Sequence, residues 1–201
     1  GGGAGAALEG GGLWGGFGGD ARAWLVPVRG RASDARVLVT FGRRGPRYGA
    51  LWFSREVLPL LCSSVHYVIA GDGPDGAALA AVGGNVHVLG RIDDDLRETV
   101  MRGADVFVQP NIVVRGDMEG FGLVTIEAAL RGTPVVAADL EGLKDAVVHG
   151  ETGLLLPTAE ADLWAAELTR LLADPELDAL GSRFQAAAGK LYGEAAMGDA
   201  L

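Results

Sequence analysis

The chain has 201 residues, and its 26 acidic and 17 basic side chains give a net charge of −9. This charge repels phosphate backbones at long range, so we expect no nucleic-acid partner. No apolar run reaches the ~18 residues of a membrane helix, and the single cysteine, Cys62, excludes an internal disulfide framework. With no metal-ligand spacing among the histidines and Cys62, we expect a soluble, cytoplasmic protein without a transmembrane segment or a bound metal.

The first part of the chain is rich in glycine. Eleven of the 33 glycines lie between Gly1 and Gly19, in a run with almost no charge. Such a composition is typical of a linker, and we interpret residues 1–34 as a glycine-rich linker or an interdomain remnant. Residues 23–28 could add an edge strand, although Pro27 weakens this assignment.

Beyond residue 35, short valine-rich runs alternate with helical patterns. The predicted strands, in chain order, are 36–41, 66–70, 85–89, 105–109, 134–138 and 153–156. The predicted helices between them are 48–61, 76–82, 93–102, 122–131 and 142–149. Most strands are continuous apolar runs, as expected when helices cover both faces of a parallel sheet. The pattern predicts a doubly wound, Rossmann-like α/β domain with a sheet of about six strands.

Two further helical patterns follow the last predicted strand. The first spans 160–172 and stops at Asp174-Pro175, and the second extends to about residue 192. We therefore predict a single α/β domain over 35–174 and a C-terminal helix and tail over 175–201. Ligands of such sheets bind outside the carboxyl ends of the strands, so the loops that follow the strands are the candidate sites.

The first candidate loop, from Gly71 to Gly76, has the glycine spacing of a dinucleotide fingerprint between a strand and a helix. Two features argue against a dinucleotide. The helix stops after about six residues at Gly83-Gly84, and Gly90-Arg91 follows where an acidic ribose ligand is expected. A tight strand-to-helix turn is the better interpretation.

The second candidate loop is a glycine-rich turn that opens the helix 122–131 and leaves backbone amides for an anion. Glu119 and Glu127 flank it. On one continuous helix they would lie ~12 Å apart along the axis, too far for the ~5.5 Å carboxylate pair of a retaining glycosidase, so we expect separate tasks. In the alternative interpretation neither residue binds a ligand: Glu119 is a charge favoured by the helix dipole, and Glu127 is a solvated helix residue. The apolar neighbours of Glu127 argue against this, because they indicate a buried carboxylate that needs a partner.

A resemblance to a known family rests on residues 116–143, which read GDMEGFGLVTIEAALRGTPVVAADLEGL. With Glu119, seven residues and Glu127, this run resembles the signature of the group 1 (family four) retaining glycosyltransferases of the GT-B fold. Further motifs match in order: FGR at 41–43, GDGP at 71–74, VLGR at 88–91, ADVFV at 104–108 and GETGLLLP at 150–157. The matches span about residues 36–173 and belong to the C-terminal, donor-binding half of GT-B enzymes.

The resemblance implies a role for each matched residue. Glu127 would accept hydrogen bonds from ribose hydroxyls, Glu119 would face the transferred sugar, and Arg43, which we count with Glu119 as catalytic, would neutralise the diphosphate. The Gly90-Arg91-Ile92 turn would hold the base. The donor-binding residues implied, besides Glu127, are Gly42, Tyr48, Gly71, Gly90, Arg91, Ile92, Gly120, Phe121, Gly122, Leu123 and Val124.

The same resemblance implies a reaction without a metal or cofactor. A nucleotide diphosphate sugar would be the donor, the glycosidic bond would break through an oxocarbenium-like state, and the departing phosphate would serve as the base. The acceptor would bind to an N-terminal half, either joined to this domain in a longer chain or present as a separate chain.

One residue departs from the family pattern. The phosphate-binding lysine five residues after the arginine is replaced here by Tyr48, which brings no charge. Arg47 is the candidate to compensate. Because of this departure and the missing half, the alternative is a noncatalytic nucleotide or nucleotide-sugar binding module.

Overall fold

Six parallel strands form the central sheet of the computed structural model, which describes residues 35–114, 122–140 and 142–193. The order across the sheet is β3-β2-β1-β4-β5-β6. Successive strands are thus added in one direction from β1 to β3 and in the opposite direction from β4 to β6. The strands are β1 (Arg36–Phe41), β2 (Val65–Ala70), β3 (Val86–Gly90), β4 (Val106–Gln109), β5 (Val135–Ala138) and β6 (Leu154–Leu156). The predicted doubly wound, Rossmann-like sheet is confirmed, with each strand within about one residue of its expected position.

Helices cover both faces of this sheet. They are α1 (Ala50–Trp52, continued by a π turn, Phe53–Val57, and a 3-10 turn, Leu58–Leu60), α2 (Gly76–Val82), α3 (Asp94–Gly103), α4 (Leu123–Leu130), α5 (Leu143–Ala146), α6 (Ala161–Ala173) and α7 (Leu177–Tyr192). On one face, the Phe53 ring of α1 lies 4.7 Å from the ring of Tyr67 and 6.1 Å from that of Trp164 in α6. Because side chains alternate along β1, Phe41 lies on the other face. There, the guanidinium of Arg97 in α3 lies over the Phe41 ring.

The central strands are held together at their amino ends by an aspartate. Asp105, directly before β4, accepts hydrogen bonds from the Val37 main-chain N–H (2.7 Å) and from the Arg36 guanidinium (3.1 Å). Farther along, the buried Thr40 hydroxyl donates to the Val108 carbonyl oxygen (2.5 Å) and lies 2.7 Å from the Tyr67 hydroxyl. The buried hydroxyls of Thr40 and Tyr67 are thus paired, and the residues of β1 and β4 that pair across the sheet are Leu38 with Val106 and Val39 with Phe107.

The prediction of one regular helix over 48–61 is wrong, because this segment is a series of short helical turns of different geometry. A 3-10 turn (Pro46–Tyr48) precedes α1, and α1 itself changes from α to π to 3-10 geometry. The cause is Pro59, which has no N–H to donate and whose ring would clash with the carbonyl four residues earlier in an α-helix. The π turn accommodates the proline while Phe53 and Val57 stay buried.

The predicted helix over 142–149 is also too long, since α5 ends at Ala146. Val147 is extended (φ −124°, ψ 114°), and it begins a pair of β-branched valines, which favour extended backbone. The chain then turns through Gly150 into β6.

The C-terminal helix α7 packs against α4. Leu177, Phe184 and Ala188 are buried, and the Gln185 side-chain amide donates to the Leu130 carbonyl oxygen at 2.8 Å. Gly181 lies so close to Gly132 that an added Cβ would be 2.2 Å from its carbonyl oxygen. The helix that opens at the second candidate loop is therefore supported from behind by α7.

Two histidines stack at the β2–β3 edge of the sheet. Nδ1 of His66 and Nε2 of His87 are 3.0 Å apart, and the ring centroids are 5.3 Å apart. Both residues are partly buried. Because only one of two such facing nitrogens can carry a hydrogen without a clash, the pair is compatible with neutral rings.

The interpretation of residues 1–34 as a linker, and the possible strand at 23–28, lie outside the described residues. Within the described residues, none of the helices has both the length and the hydrophobicity needed to cross a bilayer.

Candidate functional site

A cavity of about 390 Å³ opens at the carboxyl edge of the sheet, beside the neighbouring strands β1 and β4, where the strand order reverses. This is the position at which doubly wound sheets bind ligands. Predicted site residues that line it are Gly42, Arg43, Tyr48, Gly71, Arg91, Ile92, Gly122 and Val124. The structure therefore brings together four loops that are far apart in sequence.

The loop after β1 is fixed against the loop after β4. Gly49 has a φ of +68°, and an added Cβ would lie 1.7 Å from the Pro110 carbonyl oxygen. In addition, the Ile112 N–H donates to the Arg47 carbonyl oxygen at 2.8 Å. These contacts hold Arg47 and Tyr48 beside the cavity.

The glycines of the first candidate loop make room for the loop after β1. A Cβ on Gly71 would lie 1.8 Å from the Gly42 carbonyl oxygen, and one on Gly73 would lie 2.1 Å from that of Arg44. At Gly76 a Cβ would lie 2.7 Å from the Arg44 guanidinium, which covers the start of α2. The glycine spacing thus serves close packing of two loops, which supports the interpretation as a tight turn over the dinucleotide fingerprint.

The described wall of the cavity is rich in arginine. Arg43, Arg47, Arg91 and Arg97 line it, and none of the lining residues that the structure describes is a carboxylate. Arg91 is bound to Asp72 (2.6 Å). Arg43 is exposed, and in the described part of the chain it has no ion-pair partner. In a chain of net charge −9, such a concentration of arginines favours an anionic ligand.

The amino end of α4 adds backbone donors to this wall. Gly122 has a φ of +71°, and an added Cβ would lie 2.7 Å from a methyl carbon of Leu143. Within the residues that the structure describes, no side chain caps the helix, while the Thr125 hydroxyl donates to the Gly122 carbonyl oxygen at 2.7 Å. The Thr125 N–H also donates to the Gly122 carbonyl oxygen, at 2.9 Å, so that in the described part of the chain the Leu123 and Val124 N–H groups remain for an anion at the positive end of the helix dipole. Leu123 is exposed beside this turn and is not among the lining residues.

Glu127 is paired across two helices. Its carboxylate accepts a hydrogen bond from Arg97 of α3, and Arg97 lines the cavity whereas Glu127 does not. A second bridge joins the same helices through Glu98 and Arg131, and this hydrogen bond lowers the pKa of Glu98. The expectation that Glu127 is buried is wrong, since 36% of its side chain is exposed, but the carboxylate does have a partner, Arg97, a residue that the sequence patterns did not single out.

Arg47 lies against the tyrosine that replaces the family's lysine. Its guanidinium donates to the Tyr48 hydroxyl at 2.9 Å and lies 4.8 Å from the centre of the Tyr48 ring. The two side chains form one unit in the cavity wall, and compensation by Arg47 for the missing lysine stays a hypothesis.

Gln109 is a second residue that sequence reasoning missed. It is the last residue of β4, only 3% exposed, and it lines the cavity. A polar side chain at the carboxyl end of an otherwise apolar strand is a signal that could have been read, because this edge of the sheet is where ligands bind.

One further predicted site residue, Gly90, does not line the cavity. Gly90 turns the chain with a φ of +69°, and its carbonyl oxygen accepts a hydrogen bond from the Gly71 N–H at 2.7 Å. Glu119, Gly120 and Phe121 lie outside the described residues. The residues that the structure describes contain no cluster of three or more potential metal ligands, and metal independence stays a prediction.

Comparison with known proteins places the fold in a family. A family model described as "Glycosyl transferases group 1" matches residues 35–174. The phosphatidyl-myo-inositol mannosyltransferase of Mycolicibacterium smegmatis is 32% identical over 152 residues, which cover 73% of this chain and 38% of that protein. The D-inositol 3-phosphate glycosyltransferase of Mycolicibacterium gilvum is 39% identical over 156 residues, covering 70% of this chain and 33% of that one.

A solved structure shows the same architecture. Sucrose-phosphate synthase from Thermosynechococcus elongatus superposes with a TM-score of 0.72 at 29% identity, over 90% of this chain and 47% of that chain. The chain thus spans about a third of the length of the curated relatives and about half of the solved chain.

Proposed function

This chain belongs to the glycosyl transferases group 1 family, and from that premise we propose that it binds the nucleotide diphosphate sugar of a retaining, metal-independent glycosyl transfer. The observation that carries the proposal is the arginine-lined cavity beside the uncapped end of α4, in a chain with a strong negative charge. Arginine and helix amino ends are the groups that proteins use to hold phosphates.

The diphosphate would lie between Arg43, the Arg47–Tyr48 unit and the first turn of α4. These groups supply fixed positive potential where the leaving group gains negative charge, which is the task that a divalent metal performs in other enzymes. The exposed guanidinium of Arg43 is the group best placed to pair with the charge that develops on the departing diphosphate, since no carboxylate among the described residues forms an ion pair with Arg43.

The nucleoside and the sugar would occupy the two sides of the diphosphate. Glu127, oriented by Arg97, would accept hydrogen bonds from the ribose, and the Arg91-Ile92 turn would border the base. We assign Glu119 to the transferred sugar from the family resemblance. The bond between the anomeric carbon and the phosphate oxygen would break with its electrons going to the phosphate, and that oxygen would take the proton of the attacking acceptor hydroxyl.

The acceptor would bind to a further domain. The curated relatives are about three times as long as the matched region, and the cavity opens at the edge of the sheet instead of being enclosed by this domain. We propose that an N-terminal half completes the site and determines the acceptor.

The proposal is tested by calorimetric titration of the chain with uridine and guanosine diphosphates in the presence of a chelator. We expect one of them to bind, and Arg43→Ala to weaken that binding by roughly tenfold or more, the effect of a hydrogen bond to a charged group. Arg55→Ala, on the exposed side of α1, is the matched control. Binding that requires magnesium or manganese would refute the metal-free phosphate site, and failure of both nucleotides to bind would refute the proposed function.

The second candidate function is a noncatalytic nucleotide-sugar binding module. The observation that favours it is Tyr48, which fills the position of a charged group and is committed to Arg47. A sugar-transfer assay on the full-length protein separates the two: nucleotide binding without turnover of any donor supports the module, and turnover excludes it.

A further inference from the structure

The wall of the cavity contains one buried acceptor without a donor. Gln109 is 3% exposed, and its side-chain N–H donates to Oδ1 of Asn111 at 2.8 Å. Its Oε1 is buried and has no hydrogen-bond partner among the residues that the structure describes. A buried carbonyl oxygen left in this state is unfavourable, which indicates that something else binds to it.

The position of this oxygen is fixed by its surroundings. Gln109 ends β4 and is in register with Ala137 of β5, and its side chain is on the same face of the sheet as Phe107, whose ring lies 6.1 Å from that of Phe41. Asn111 is fully buried, and its carbonyl oxygen accepts a hydrogen bond from the Thr158 hydroxyl at 2.8 Å. The amide of Gln109 is therefore held by Asn111 from behind while its residue faces the cavity.

The rest of the described wall offers mainly donors. Arginine side chains, the Tyr48 hydroxyl and the Leu123 and Val124 amides of α4 can all donate to phosphate oxygens. A phosphate oxygen at pH 7 has no hydrogen and cannot bind to Oε1 of Gln109. The partner of this oxygen is thus a part of the ligand that carries a hydrogen, and a hydroxyl fits best because it can donate to Gln109 while accepting from a neighbouring arginine.

We propose that Gln109 is a specificity-determining residue of the donor site, and that its Oε1 accepts a hydrogen bond from a sugar hydroxyl of the nucleotide diphosphate sugar. This inference rests on the proposed function. The hydroxyl belongs either to the ribose or to the transferred sugar, and the two sources share the same chemistry at Gln109.

The test compares the parent chain with Gln109→Met, which keeps the length of the side chain but removes the acceptor. The ligands are the nucleoside diphosphate that binds, its 2′-deoxy and 3′-deoxy forms, the corresponding nucleotide sugar, and inorganic pyrophosphate. Gln185→Met, at an exposed glutamine of α7, is the matched control. Gln109→Leu is the second variant, and the melting temperature of each protein shows whether it is folded.

We expect Gln109→Met and Gln109→Leu to weaken binding of the nucleotide sugar by roughly five- to hundredfold and to leave pyrophosphate binding unchanged. If the ribose supplies the hydroxyl, one of the deoxy nucleotides binds to the parent and to Gln109→Met equally well. If the transferred sugar supplies it, the substitution affects only the sugar-bearing ligand.

Three results would overturn the inference. They are unchanged affinity of the folded variants for every nucleotide ligand, an equal loss for pyrophosphate, and a loss that persists in full with both deoxy nucleotides, since the last would point to the base. If the parent binds to no nucleotide, the proposed function fails together with this inference, whereas nucleotide binding that ignores Gln109 leaves the function intact.

Discussion

At the scale of single residues, the structure places an arginine against the tyrosine that stands where a cation was expected. The family's lysine position is occupied by Tyr48, but the Arg47 guanidinium is held by the Tyr48 hydroxyl and ring at the same wall of the cavity. The local sequence therefore keeps a positive charge near the proposed phosphate site while changing the residue that carries it.

We predict that Arg47→Met weakens nucleoside diphosphate binding by about tenfold, the effect of one charge-assisted hydrogen bond. Tyr48→Lys should gain less than tenfold, because the new ammonium would lie beside Arg47 and remove its partner. Titrations at two salt concentrations check this, since the loss in Arg47→Met should shrink as salt screens the charge. A large gain in Tyr48→Lys together with no loss in Arg47→Met would contradict the compensation.

Glu127 gives a second prediction at this scale. Glu127→Gln should weaken nucleoside diphosphate binding by about 1.5 to 3 kcal/mol and leave pyrophosphate binding unchanged, because its proposed partner is the ribose. Glu119→Ala should act chiefly on the sugar-bearing donor. Glu98→Gln, which removes the other α3–α4 bridge, controls for lost helix contacts, and equal losses in it and in Glu127→Gln would refute the ribose role.

At the scale of elements, the stacked histidines at the edge of the sheet make β2–β3 pairing sensitive to pH. Burial lowers the pKa of His66, and burial together with the charge of His66 lowers the pKa of His87 to about 4. Both pKa values are below their value in the unfolded chain, ~6.5, so the unfolded state binds more protons in this range. The stability contributed by neutral histidines is therefore present above pH 6.5 and is lost as the pH falls towards 4.

We predict that the free energy of unfolding falls by about 1 to 3 kcal/mol between pH 7 and pH 4.5. In His87→Phe the fall should be smaller, because the phenyl ring keeps the stacking and carries no charge. Denaturant titrations at several pH values check this, with pH 8 as the reference. A parent chain whose stability is constant from pH 7 to 4.5 would contradict the prediction.

Two glycines of α7 provide a matched pair of substitutions. Gly181→Ala would press a methyl group against the Gly132 carbonyl oxygen and should destabilise the protein by about 1 to 3 kcal/mol. Gly189 is exposed with nothing within 4 Å of an added Cβ, so Gly189→Ala should stabilise it by about 0.5 to 1 kcal/mol through helix propensity. Thermal unfolding checks both. Melting temperatures that change in the same direction in the two variants would show that α7 does not pack as described.

At the scale of the whole molecule, the valine-rich runs were enough to predict the sheet, because a strand buried on both faces must be apolar throughout. The missed features depend on contacts between distant segments. Arg97 joins the site only because α3 crosses Phe41 and reaches Glu127, and the packing role of Gly71 and Gly73 depends on the loop after β1. Two helices differ from the prediction because the local preferences of Pro59 and Val147 determine the structure there. The sequence-based prediction had given more weight to the apolar pattern.

The matched family region ends at residue 174, but α7 follows it and packs on α4. We predict that a chain ending at Asp174 loses several kcal/mol of stability, because it exposes the surface covered by Leu177 and Phe184, each contributing about 1.5 to 3 kcal/mol. A chain ending at Gly193 is the matched control, because it keeps all of α7. Equal melting temperatures for the two truncated chains would contradict this.

The position of the cavity between the two halves of the sheet also has a consequence for cooperativity. The cavity walls come from both halves of the doubly wound sheet, with Gly42, Gly71 and Arg91 on one side and Gln109, Gly122 and Val124 on the other. A molecule bound there contacts both halves of the sheet and stabilises them jointly, since its binding free energy is lost as soon as either half opens. Occupancy would therefore merge the two halves into one unit of local unfolding, and amide hydrogens on the distal strands β3 and β6 would become protected together.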